Sequence, residues 1–109
     1  MSSESSEEII EIHTVCDNAV VHPHGQIQNV KDCWCKVYHA FNPNATFDQI
    51  ECVHFKDDIY CYLWKEASKL NQPPNSFLER KLKRKVNGPV IMFRKGEDFP
   101  MERAKSMLQ

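Results

Sequence analysis

Seven cationic side chains late in the chain carry the clearest chemistry in this sequence. Arg80, Lys81, Lys83, Arg84 and Lys85 form one block, and Arg94 and Lys95 follow on the far side of the apolar run Pro89 to Phe93. Clustered Lys and Arg displace counterions from phosphates, so such a block suits an anionic partner. The charge is also segregated. Residues 1 to 58 hold ten Asp/Glu against three Lys/Arg, residues 59 to 109 hold five against eleven, and the whole chain has a net charge of −1. A solvated face partly neutralised by the acidic front half, a targeting signal or a protein-docking patch would have the same composition.

The Cys and His residues are the second group able to do chemistry. Cys35, His39, Cys52 and His54 supply the four donors that tetrahedral zinc requires. Cys35 and His39 are four apart and share a helix face, and Cys52 and His54 are two apart and share a strand face, so a composite site needs those two faces to meet. There is no Cys-x-x-Cys knuckle, and a buried Cys packs as a small hydrophobe, so no bound metal is expected. His22 and His24 flank Pro23 ahead of Gly25 and lack an identifiable third ligand. No Cys can be placed beside a base, and the three glycines, Gly25, Gly88 and Gly96, are too far apart for a phosphate loop. The sequence therefore predicts no enzyme and no cofactor.

These residues must be positioned by a small fold. A chain of 109 residues, 41% hydrophobic and 27% charged, fits one globular domain, with residues 1–8 as a disordered acidic start and 9–109 as the domain. No apolar run approaches the roughly 20 residues of a membrane span. Five irregularly spaced cysteines fit reduced thiols, hence an intracellular protein of cytoplasm or nucleus.

Ile9 to Cys16 reads as a strand. Asp17 to Gln28 reads as a loop, with room for a short strand at Ala19 to Val21. Val30, Cys33, Trp34, Val37, Tyr38 and Phe41 recur with helical period behind an Asn29 cap, and Asn42-Pro43 stops that helix. Ile50 to Phe55 alternates as a strand. Asp57-Asp58 reads as the cap of a helix over Ile59 to Asn71, with Ile59, Leu63, Ala67 and Leu70 as its stripe, ended by Pro73-Pro74. Ser76 and Glu79 have capping-box spacing for a helix over 76–82, before a strand over Pro89 to Arg94. Asn87-Gly88 is also a hairpin signal that would pair Lys81 to Val86 with Val90 to Arg94. A last helix starts near Asp98. This order gives an α/β (α+β) sandwich, a small sheet with helices over one face, ferredoxin-like or RRM-like, carrying a helical insertion at about 57–86.

Glu8 to Val15, Asn29 to Phe41, Phe47 to Phe55 and the run Gly88 to Lys95 with the following helix resemble segments of one RRM-like domain. That domain occurs in baculovirus few-polyhedra (FP) proteins and in the first-open-reading-frame proteins of LINE retroelements. The resemblance spans about two thirds of the chain and implies a module that binds single-stranded nucleic acid and associates with other chains. The sequence departs from it in the roughly 30 residues from Lys56 to Val86, where the family has a shorter connection.

Two non-catalytic readings follow. In the first, Arg80, Lys81, Lys83, Arg84, Lys85, Arg94 and Lys95 contact the phosphates of a single strand of RNA or DNA. In the second, Tyr60, Tyr62 and Trp64 project from the 59–70 helix and anchor a protein partner, which the charge segregation allows to be acidic or a second copy of the chain.

Overall fold

The structure is a computed structural model that describes residues 10–41, 43, 46–65 and 71–96. Among these residues the strands are β1 (Asn18–Val21), β2 (Ile27–Val30), β3 (Ile50–Lys56), β4 (Ile59–Trp64) and β5 (Val90–Arg94), and the helices are α1 (Trp34–Phe41) and α2 (Ser76–Leu82). The five strands form one sheet in the order β2-β1-β5-β4-β3, with every pairing antiparallel. This is an α+β fold. No helix among the described residues is long and apolar enough to cross a membrane.

Strand pairing explains how both faces of the sheet are buried. Val20 stands opposite Ile91 and Tyr62 opposite the same residue, so these side chains share one face with Phe93 and Tyr60. On that face α1 lays down Trp34, Cys35, Val37 and Tyr38. Ala19, Val21, Val90, Met92, Ile59, Cys61 and Leu63 point the other way, against Phe77 and Leu78 of α2 and against Ile10 and Ile12. The helices thus cover opposite faces, where the sequence reading puts them on one. The reason is the near-continuous apolar character of β1, β4 and β5, which leaves neither face fit for water.

Several elements differ from expectation. Ile10 and Ile12 are buried, but residues 10–17 form no strand, and the pairing begins at Asn18. Within the span read as a loop over 17–28, the short strand allowed at Ala19 to Val21 is present as part of β1, and β2 pairs with it in a hairpin closed by His22 N–H to Gln26 O (2.9 Å) and Gly25 N–H to His22 O (2.9 Å). Gly25 supplies the positive φ, +93°, that this turn needs. Asn29 consequently pairs with Ala19 in β2 instead of capping a helix. The helix begins at Trp34, where Lys36 N–H and Val37 N–H both donate to Cys33 O.

The largest correction concerns 57–86. Asp57-Asp58 does not cap a helix; it turns β3 into β4, with Asp57 at φ 49° and a register irregularity between His54 and Lys56. Ile59 to Trp64 is a strand, so the supposed helical insertion supplies one of the sheet's interior members. α2 forms where expected, although its cap is Asn75, whose side chain accepts from Leu78 N–H, and not Ser76. Asn87-Gly88 makes no hairpin; Asn87 forms an isolated bridge with Pro74. The remainder of the expected 59–71 helix, the acidic start and the helix near Asp98 involve residues outside those described.

Candidate functional site: a basic turn and an adjoining cleft

The basic block is built by the end of α2. Lys83 adopts the left-handed conformation that closes the helix, with its N–H donating to Glu79 O. The chain then folds back, because Val86 N–H donates to the Glu79 carboxylate (3.2 Å) and Asn75 N–H donates to Val86 O (2.8 Å). Arg80, Lys81, Lys83, Arg84 and Lys85 are all exposed on this helix end and turn. Arg80 and Lys81 stand 5.9 and 5.8 Å from the centre of the Phe77 ring. Arg84 reaches across to β3 and donates twice to the Glu51 carboxylate, at 2.7 and 3.2 Å. The guanidinium holds the Glu51 carboxyl below its usual range.

Arg94 and Lys95 do not join this group. Glu51 lies opposite Leu63 on β4, whereas Arg94 lies opposite Ile59, four residues or about 13 Å back along the strand. Arg94 Nε is 3.5 Å from Asp58, and Lys95 Nζ sits 5.3 Å over the Tyr60 ring. The seven cations predicted as one face are therefore divided between two ends of the sheet.

Tyr60, Tyr62 and Trp64 do share a face, that of a strand covered by α1. Tyr62 is only 2% exposed and packs on Trp34 and Phe93, with ring centres 4.2 and 4.6 Å away. Trp64 is half-buried 5.6 Å from Tyr38, and Tyr60 is half-buried beside His54. As a trio exposed on a helix they are ruled out.

The four-donor metal site is not assembled either. Cys35 is buried on the sheet-facing side of α1, while His54 is exposed and tied by Nε2–H to Asp57 O at 2.7 Å. No three His, Cys, Asp or Glu converge on a metal position among the described residues. His22 and His24 stack on each other at 5.3 Å, with Gln28 on His22.

Sequence reasoning misses a cleft of about 270 Å³ at the same end of the sheet as the basic turn. Trp64, next to the Leu63 that faces Glu51, forms one wall; Tyr38, Phe41, Asn87, Pro89 and Ile91 form the others. Phe41 is 45% exposed at its mouth. Tyr38 is 5% exposed, yet its hydroxyl is buried with no hydrogen-bond partner among the described residues, and the same holds for Asn87 Oδ1. The Asn87 amide is oriented by its Nδ2–H donating to Gln72 O at 2.7 Å. In the sequence Asn87-Gly88 signals only a turn, and the residues of the walls come from separate parts of the chain.

Comparison of the chain with protein-family models, with curated proteins and with solved structures finds no match.

Proposed function

We propose that the protein is a non-catalytic module that binds single-stranded nucleic acid, with the turn at the end of α2 as its phosphate-binding element. The observation that carries this reading is the exposure of all five cations of residues 80–85 on a backbone fixed by Asn75 and Glu79. A fixed cationic turn loses little conformational freedom when it meets a chain of phosphates. The resemblance of the helix, the following strand and the late strand to the RRM-like domain supports the same class of partner. The reading fits a compartment where nucleic acid and reduced thiols coexist, cytoplasm or nucleus. A protein-docking role through Tyr60, Tyr62 and Trp64 loses its basis, because Tyr62 is in the core.

The test is binding of labelled single-stranded RNA and DNA across a salt series. Affinity should fall with salt, and changing Arg80, Lys81, Lys83 and Lys85 to Gln, with Arg84 left on Glu51, should flatten the dependence by about one unit of slope for each phosphate no longer neutralised. Changing Arg94 and Lys95 to Gln should leave the slope as it was, since Arg94 already faces Asp58 at the other end of the sheet. No binding by the wild-type protein at low salt would defeat the proposal and leave the block as the cationic complement to the C-terminal dipole of α2.

A further inference from the structure

A buried hydroxyl or amide oxygen without a partner is costly, and one lying in a cleft wall is a polar group held ready for something that enters. Here two such groups, the Tyr38 hydroxyl and Asn87 Oδ1, belong to residues lining one cleft whose remaining surface includes Trp64, Phe41 and Ile91. Burial pushes the Tyr38 phenol above its usual range, so it keeps its proton and can donate. Asn87 Oδ1 can only accept, because Nδ2 is identified by its bond to Gln72 O. A fitting occupant is small and planar, offers π faces to Trp64 and Phe41, and carries both a hydrogen-bond donor and an acceptor on its edge.

We infer that the cleft takes one unpaired base of a single strand whose phosphates follow the basic turn. The inference rests on the nucleic-acid reading above and gives that site its second half. Lys85 and Asn87 are separated only by Val86, so phosphate and base contacts come from one short stretch of chain. Arg84, locked on Glu51 opposite Leu63, places the turn at the cleft's end of the sheet but on the α2 face, so the bound single strand passes over that end through Lys85 to Asn87 to reach the cleft on the α1 face. Every base has π faces and an edge with both donor and acceptor capacity, so the chemistry selects a nucleobase without selecting which one.

Tyr38→Phe tests this sharply, because it removes only a hydroxyl that has no hydrogen-bond partner among the described residues. The variant should fold with unchanged or slightly raised stability, yet bind single-stranded oligonucleotide about tenfold more weakly, with an unaltered salt slope. Equal affinity of variant and wild type would overturn the base site while leaving the phosphate reading standing. A clear loss of stability in the variant would also overturn it, since the hydroxyl would then have an internal role. A second measurement avoids phosphates altogether: titration of the full chain with free uridine, cytidine, adenosine and guanosine, following the Trp64 indole N–H by NMR. Movement of that signal supports the base site even if oligonucleotides fail to bind, in which case the phosphate reading alone is lost. No movement with any nucleoside overturns the base site.

Discussion

Cys16 and Cys33 lie 17 positions apart, yet their sulfurs are 3.2 Å from one another, one just before β1 and the other just before α1. Cys16 is exposed and Cys33 half-buried, so an external disulfide can reach the pair. With glutathione disulfide as oxidant, the two thiols give up two electrons and two protons, one S–S bond forms, and two reduced glutathiones leave. The expected product is a chain lighter by two hydrogens, restored by dithiothreitol and not formed by Cys16→Ser. Closing a loop of this length should raise stability by roughly 3 kcal/mol in the chain-entropy account, read from denaturant unfolding of the oxidised and reduced forms. A stable glutathione adduct on Cys16 without ring closure would refute it. By contrast Cys61 is sealed between the sheet and α2, and burial pushes its thiol up to about 12, so it should stay unmodified under the same conditions.

At the scale of elements, the residue that ties α2 to the sheet is Asn75, which is 0% exposed. Its Nδ2 donates to Val21 O and to Gly88 O, each at 3.0 Å, and its Oδ1 accepts from Leu78 N–H. Asn75→Ala removes a helix cap and strands two carbonyls in the interior. The expected cost is about 3 kcal/mol in urea unfolding, and Asn75→Asp should recover only the part due to the cap. The helix that Asn75 caps is legible in the sequence, because Pro73-Pro74 and the polar residues after them mark its start. The strand β4 is not, since Ile59 and Leu63 are four apart and satisfy both a helical stripe and an alternating strand. What decides for strand is the row of Tyr60, Tyr62 and Trp64 between and beyond them, which needs a second buried face that only α1 supplies. β2 is hidden for a different reason: at an edge, with Gln28 and Asn29 exposed, it has little apolar pattern to read. As for the site, the cations are visible as a block, but their division between two ends of the sheet depends on strand register. The cleft depends on Tyr38 and Asn87 meeting across the fold.

For the molecule as a whole, the two hydrophobic clusters share a single sheet, and β5 contributes to both. Ile91 (1% exposed) packs beneath α1 and its neighbour Met92 (0%) beneath α2. Ile91→Ala and Met92→Ala should each cost about 2–5 kcal/mol. Because one strand feeds both layers, each variant should still unfold in a single step, with the fluorescence of Trp34 and Trp64 and the far-ultraviolet circular dichroism moving together. Separate midpoints would mean that the layers melt independently. The strand order also has a consequence for biosynthesis. β1–β2 and β3–β4 are hairpins made from adjacent stretches of chain, but β5, the last in sequence of the five strands among the described residues, lies between them and hydrogen-bonds to β1 on one side and β4 on the other. Until Val90 to Arg94 has left the ribosome, the nascent chain presents two open strand edges, those of β1 and β4, to whatever it meets. The interval between completing the second hairpin and delivering the closing strand is when this protein most needs a chaperone.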